Sequence, residues 1–259
     1  MIPKIIHYCW LSGDPIPIKL KEYIKSWEEQ LPDYQFMLWN FDRFDIDEST
    51  WVKEAFENKK YAFAADYIRL YAVYNYGGIY LDLDVEVLKT FNSFLHLSSM
   101  ICYEKHGDKH FEMATFGVEK HSLWVKECLS YYDKRRFIVE GKLDTKILPL
   151  VIKEALAVNF KLIPVNNIYE ASVSPNDPFE IRILPSEFFS PKNYWTGKLN
   201  VTTNTVSIHH FNGSWLPLYL KLEANICEYF GLRNFKLLER ISWKARILIV
   251  NMYSKVKGV

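Results

Sequence analysis

The chain has 259 residues, 49% of them hydrophobic and 24% charged, which are proportions of a globular protein with length enough for one large domain and a substantial core. A formal net charge of +1 gives no general electrostatic reason to bind nucleic acid, and the four cysteines (Cys9, Cys102, Cys128 and Cys227) lack the paired spacing of a zinc site or a disulfide framework. No charged leader precedes an apolar run and no apolar stretch approaches a membrane span, so a reducing, cytoplasmic location is expected.

In chain order, Lys4 to Trp10 (KIIHYCW) is expected to form a first strand, and Leu11 to Pro17 is turn chemistry. Pro17 can open a helix over Ile18 to Gln30, where Leu20, Ile24, Trp27 and Leu31 recur at helical spacing; Pro32 and Asp33 stop it. Tyr34 to Trp39 reads as a second strand. Strand, helix, strand is the opening of an α/β nucleotide-binding sheet. Ser49 or Thr50 can cap a short helix running to about Asn58, and a longer helix follows from Tyr61 to Asn75, ended by Gly77 and Gly78. In that helix Asp66 and Arg69 are three apart and share a face among small and apolar residues. They form either a surface ion pair or a partly buried pair able to bond sugar hydroxyls, Arg donating and Asp accepting.

Tyr76 to Leu88 (YGGIYLDLDVEVL) alternates strictly. Ile79, Leu81, Leu83, Val85 and Val87 fall on one side, and Tyr80, Asp82, Asp84 and Glu86 on the other. Acids in alternate positions repel unless a cation sits among them, and carboxylates are hard ligands that suit Mg²⁺ or Mn²⁺. The glycine pair allows a tight turn or the close approach of a ligand. Met100 to Tyr103 and Met113 to Val118 look like further strands and His121 to Tyr132 like a helix. Leu143 to Ala157 reads as a helix kinked by Pro149 or starting after it. Ser172 to Pro191 holds four prolines and reads as an irregular loop. Val206 to Trp215 (VSIHHFNGSW) begins as a strand that sends His209 and His210 to opposite faces.

The tail, Gly231 to Val259, carries seven Lys or Arg against one Glu, a net charge of +6 that leaves −5 for the remainder. Leu232, Phe235, Leu238, Ile241, Ala245 and Leu248 recur at helical spacing beside basic residues. Such a helix either lies on an anionic membrane surface or packs on the domain with a basic outer face.

Together, IPKIIHYCW, AADYIRL, YGGIYLDLDVEV and SIHHFNGSW, in that order over about residues 1–216, resemble glycosyltransferase family 32. These are the DXD-containing sugar transferases of yeast mannosylation and of bacterial capsule and lipopolysaccharide synthesis, distantly similar to the glucosyltransferase domains of clostridial toxins. The resemblance implies a GT-A-like mixed sheet flanked by helices (residues 1–216) with a helical, basic extension (residues 217–259). It implies a retaining transfer of a hexose from a nucleotide-diphosphate sugar, UDP ahead of GDP, to a glycan or lipid-linked glycan acceptor. Trp10 would stack on the base, with the Cys9 backbone at the base edge and Tyr80 near the ribose. Asp66 and Arg69 would grip the donor sugar. Asp84 would bind Mn²⁺ or Mg²⁺ directly, Asp82 through water while also touching ribose or sugar, and His210 would be the last protein ligand. Trp215 would close over the donor and give its indole N–H to the leaving phosphate. Toxins place a hydroxyl two residues before this Trp, where Gly213 stands here, with Ser214 one step along. Glu86 takes no role from the resemblance and is expected to face solvent.

One other reaction class and one non-catalytic kind of module share parts of this pattern. An apolar strand followed by DxDxV also opens haloacid-dehalogenase-type phosphatases, with the first Asp as nucleophile, but there the motif sits close to the chain start. A sugar-binding module could use the aromatics for glycan and the acids for Ca²⁺.

Overall fold

The structure is a computed structural model that describes residues 1–105, 110–173, 177–194 and 197–212. Trp215, Ser214, Gly213 and the whole of the 217–259 extension lie outside the described residues. The elements run β1 (Ile5–Cys9), α1 (Ile18–Gln30), β2 (Gln35–Trp39), α2 (Thr50–Glu57), α3 (Tyr61–Tyr76), β3 (Gly78–Leu81), β4 (Val85–Val87), β5 (Ser99–Met100) and β6 (Thr115–Val118). They continue with α4 (Leu123–Ser130), β7 (Ile138–Val139), β8 (Lys142–Leu143), α5 (Leu148–Leu156), β9 (Lys161–Pro164), α6 (Ile168–Ser172), β10 (Glu180–Ile183) and β11 (Ser207–His209).

The central sheet is mixed, with strand order β2-β1-β3-β6-β5. β1 runs parallel to both β2 and β3, whereas β6 is antiparallel to β3 and to β5. Both faces are covered, so the strands are apolar throughout rather than half-polar. On one face Ile6, Ile79, Leu81 and Met100 pack with Trp27 of α1. On the other, Trp39, Tyr80, Phe116 and Val118 pack under α2, α3, α4 and α5 through Trp51, Ile68, Val125 and Val151. The alternation read from Ile79 to Val87 holds: all five apolar residues enter the first of these cores. The strand itself does not run through, because Val85 N–H donates to the Asp82 carbonyl at 3.0 Å and turns the chain between β3 and β4. That turn lifts Asp84 out of the ladder and leaves Asp82 at its end, its N–H still given to the Ala114 carbonyl at 2.9 Å.

Local chemistry explains the boundaries. The Ser49 hydroxyl accepts from Val52 N–H at 3.3 Å and caps α2. α3 ends at Gly77, whose φ of +65° is followed by +106° at Gly78. The pair serves close chain approach rather than ligand approach: an added Cβ would stand 2.8 Å from the Pro3 ring and the Lys120 nitrogen at Gly77, and 2.6 Å from the Ile5 carbonyl at Gly78. α5 starts at Leu148 with Pro149 in its first turn, so the proline opens the helix and does not kink it. The 172–191 segment is less irregular than its prolines suggest, since Glu180–Ile183 forms β10 and pairs in parallel with β9. Its short alternation is masked in sequence by turn residues on either side.

His7 ties these pieces together. Fully buried on β1, it accepts from the Trp39 indole N–H through Nδ1 at 3.0 Å and donates through Nε2 to the Gly77 carbonyl at 2.7 Å. Burial pulls its pKa down to about 4. An unfolded histidine takes up a proton near 6.5, so the unfolded state binds more protons between these values and stability falls as pH drops through that window. A gap of this size corresponds to about 3 kcal/mol. Urea melts between pH 7 and pH 4 are expected to lose this increment, and the same slope is expected to be missing in His7→Gln, which keeps a donor for Gly77.

Candidate functional site

The candidate site lies where β1 and β3 end and the β3–β4 turn begins, the carboxyl edge at which open α/β sheets take ligands. From α3, the side chains of Asp66 and Arg69 reach this edge, 13% and 8% exposed. Their pairing is therefore not a surface one. Arg69 holds Asp66 Oδ1 at 3.1 Å and Asp82 Oδ2 at 3.3 Å, donates to the Met113 carbonyl at 2.8 Å, and lies 4.6 Å over the Tyr80 ring. The Tyr80 hydroxyl donates to Asp82 Oδ1 at 2.9 Å, so both Asp82 oxygens are engaged. The Cys9 thiol is turned toward Tyr80 and Arg69, and burial pushes its pKa up to about 12. Trp10 is half-buried at the end of β1, its indole N–H given to the Asp14 carbonyl at 2.5 Å.

The charges are arranged for a cation. Burial first, and then Asp84, raises the Asp82 pKa against the pull of Arg69. Burial likewise pushes Asp66 up to about 6, opposed by Arg69 and by the Leu148 N–H at the start of α5. Carboxylates crowded in this way gain most from a positive ion among them. Asp82, Asp84 and His209 can each offer one ligand atom, all within 4.8 Å of one another. Two carboxylates and an imidazole form the hard, mixed donor set that suits Mn²⁺ or Mg²⁺, so the residues fit the ion that the DXD pattern implies.

The histidine is a correction. The family resemblance points to His210 as the imidazole ligand, and the structure brings His209 to the carboxylates instead. β11 pairs antiparallel with β4, with Ile208 opposite Glu86 and His209 opposite Val85, so His210 shares the Glu86 face, while the Asp82–Val85 turn breaks the alternation and brings Asp84 round to His209. His209 Nε2 is 3.6 Å from Asp84 Oδ1. His210 instead bonds Glu86 at 2.8 Å and stacks on Tyr23, with ring centroids 4.7 Å apart. Glu86 is thus that histidine's partner rather than a purely solvated acid. Asp84 also anchors the chain beyond β11: its carbonyl accepts from His210 N–H at 3.0 Å and its Oδ2 from Asn212 N–H at 2.7 Å.

Sequence reasoning missed Glu112. Its carboxylate is wholly buried, 3.0 Å from His209 Nδ1, and accepts from Ala114 N–H at 2.9 Å. Burial disfavours the imidazolium, but Glu112 and Asp84 outweigh it and raise the His209 pKa to about 10. The only signal was an acid set directly against an apolar run, Phe111 and Met113 to Val118.

Residues 17–100 match the model of the glycosyltransferase sugar-binding region containing the DXD motif. The mannosyl phosphorylinositol ceramide synthase SUR1 of Saccharomyces cerevisiae is 34% identical over 53% of this chain and 37% of its own length. Inositol phosphoceramide mannosyltransferase 3 of Schizosaccharomyces pombe is 36% identical over 39% of this chain and 29% of its own. The chain thus spans about a third of the length of these curated relatives. Among solved structures, a glycosyltransferase involved in glycosylation of the major capsid of PBCV-1 is similar at 14% identity and a TM-score of 0.47, over 86% of this chain and 98% of that one.

Proposed function

From the match of residues 17–100 to the DXD-containing sugar-binding region, we propose that this chain is a glycosyltransferase that moves a hexose from a nucleotide-diphosphate sugar to a hydroxyl of a glycan or glycolipid acceptor. The observation that carries the reading is the convergence of Asp82, Asp84 and His209 beside the buried Asp66–Arg69 pair. Asp82, Asp84 and His209 would hold the divalent ion, Mn²⁺ ahead of Mg²⁺ given the imidazole, and the ion when bound supplies positive charge to the departing diphosphate.

The protein groups have separable tasks. Trp10 would offer an indole face to the base and Asp82 would reach the ribose, whereas Tyr80, expected from sequence beside the ribose, is wholly buried and acts through the hydroxyl it gives to Asp82. Asp66 presents a carboxylate to sugar hydroxyls, and Arg69 holds Asp66 and Asp82 in place while keeping positive charge beside the donor. Trp215 would close over the donor. Retention follows from same-face attack, because Asp82 is bonded through both oxygens and Asp66 is bonded to Arg69 and the Leu148 amide. A covalent sugar adduct trapped on any side chain would refute that step. The same engagement of Asp82 disfavours the phosphatase reading, which needs a free carboxylate nucleophile.

The names of the yeast relatives put mannose among the first sugars to test and an inositol-phosphate-headed lipid among the first acceptors. The basic segment 231–259 would then hold the protein on the inner face of an anionic membrane; a bacterial surface polysaccharide is the other acceptor class. The test is a panel of UDP-glucose, UDP-galactose and GDP-mannose, each with and without Mn²⁺, followed by thermal shift and by slow hydrolysis. A sugar transferase is expected to bind and cleave one of them in a metal-dependent manner, whereas release of phosphate from simple esters, or binding of glycan without turnover, would overturn the proposal.

The two histidines give a sharper test. His209→Ala is expected to weaken Mn²⁺ binding at least tenfold, and His210→Ala less than threefold, measured by Mn²⁺ paramagnetic resonance. The reverse order would restore the sequence-based assignment.

A further inference from the structure

We propose that Glu112 is a positioning residue that holds the His209 imidazole with Nδ1 protonated and Nε2 open toward Asp82 and Asp84. The inference rests on the proposed metal site and adds to it a residue outside the DXD pattern. The Glu112 carboxylate has no exposed surface, and beside the Ala114 N–H its Oε1 faces His209 Nδ1 at 3.0 Å, an ion-pair contact shielded from solvent. An imidazole has two nitrogens, so a carboxylate set against one favours keeping the proton there and leaves the other to ligate once an ion displaces its proton. That other nitrogen, Nε2, is the one near Asp84, and Phe211 lies against the ring with centroids 3.9 Å apart.

Glu112 is itself rigidly placed. Its N–H donates to the Cys102 carbonyl at 3.0 Å, and its Oε1 accepts from Ala114 N–H. The residues after it brace the rest of the site. The Met113 carbonyl takes Arg69, and the Ala114 carbonyl takes Asp82 N–H at 2.9 Å. Three consecutive residues therefore each fix one site residue: His209, Arg69 and Asp82. A buried glutamate serving only to stabilise the core would not need to aim at the imidazole that completes the acidic cluster.

The test is Mn²⁺ affinity by paramagnetic resonance for wild type, Glu112→Gln, His209→Ala and the double variant, with melting temperature recorded for each. Glu112→Gln keeps volume and an acceptor oxygen but loses charge, and it is expected to weaken Mn²⁺ binding about tenfold to a hundredfold. In the His209→Ala background the same change is expected to move the affinity less than twofold, because Glu112 acts through that ring. An equal effect in both backgrounds, or wild-type affinity in folded Glu112→Gln, overturns the inference and leaves the metal site standing. Wild type that binds no Mn²⁺ overturns the metal site and this inference with it. If the variants do not fold, ¹⁵N imidazole spectra of the Mg²⁺-loaded wild type decide: a proton on His209 Nδ1 supports the proposal, and a proton on Nε2 refutes it.

Discussion

Replacing Asp84 with Asn is expected to lower turnover of the nucleotide sugar by about a thousandfold or more while leaving the chain folded. The side chain is largely buried, with Oδ1 3.6 Å from His209 Nε2 and Oδ2 accepting from Asn212 N–H. Asparagine has the same shape and can keep the Asn212 bond through its own oxygen, so the fold loses little. What it lacks is the charge. A thousandfold corresponds to about 4 kcal/mol of transition-state stabilisation, the order expected when a preorganised charge site next to a leaving group is dismantled. Losing the charge relieves repulsion with Asp82 but also removes attraction for the His209 imidazolium, so the melting temperature is expected to change little in the ion-free protein. The measurement is kcat and KM for donor hydrolysis across a Mn²⁺ titration. Recovery of full kcat at high Mn²⁺ would confine Asp84 to binding the ion, and wild-type turnover at low Mn²⁺ would remove it from the site.

Gly78→Ala carries the largest expected cost in stability. The residue opens β3 at φ +106°, a region that L side chains rarely enter, and an added methyl would meet the Ile5 carbonyl at 2.6 Å and His7 Nε2 at 3.1 Å. The obstacle is main chain in the middle of the sheet, held by the β1–β3 pairing, so it cannot swing aside. Backbone strain and overpacking together should cost about 3 kcal/mol or more, a fall of about 10 °C in melting temperature for a chain of this length. Gly13→Ala is the internal control. Its φ is +75° but nothing lies within 4 Å of the added carbon, so only the conformational part is lost, about 1 kcal/mol. Equal melting temperatures for the two variants would contradict the close approach at Gly78.

The strand–helix–strand opening and the glycine stop of α3 were readable because they depend on neighbours in sequence: periodicity, capping and conformational freedom. The Asp66–Arg69 pair was readable as a spacing, but its burial depends on the Tyr80 ring and the Met113 carbonyl, which come from other strands. The choice between His209 and His210 was closed to sequence reasoning for a related reason. Alternation says that they face apart, and the register of β11 on β4 together with the turn between Asp82 and Val85 decides which one meets Asp84. Glu112 was hidden more completely. It belongs to no motif, and an acid before a strand is usually a solvated turn residue until the chain 97 residues later brings an imidazole to it. The Glu180–Ile183 strand was missed because its partner, Lys161–Pro164, is equally short and the two support each other only once paired.

Of the three braces supplied by Glu112, Met113 and Ala114, two come from carbonyls. Carbonyls survive exchange of the residue that bears them, so positions 113 and 114 are open to substitution by any side chain their core accepts. The carboxylate does not survive a change of chain length. With Thr115 pinned opposite Leu81, deleting or inserting one residue between 112 and 115 would keep carbonyls at the two bracing positions but aim a side chain of the wrong kind at the imidazole. This short stretch can therefore drift in spelling over time, but it is not free to gain or lose a letter.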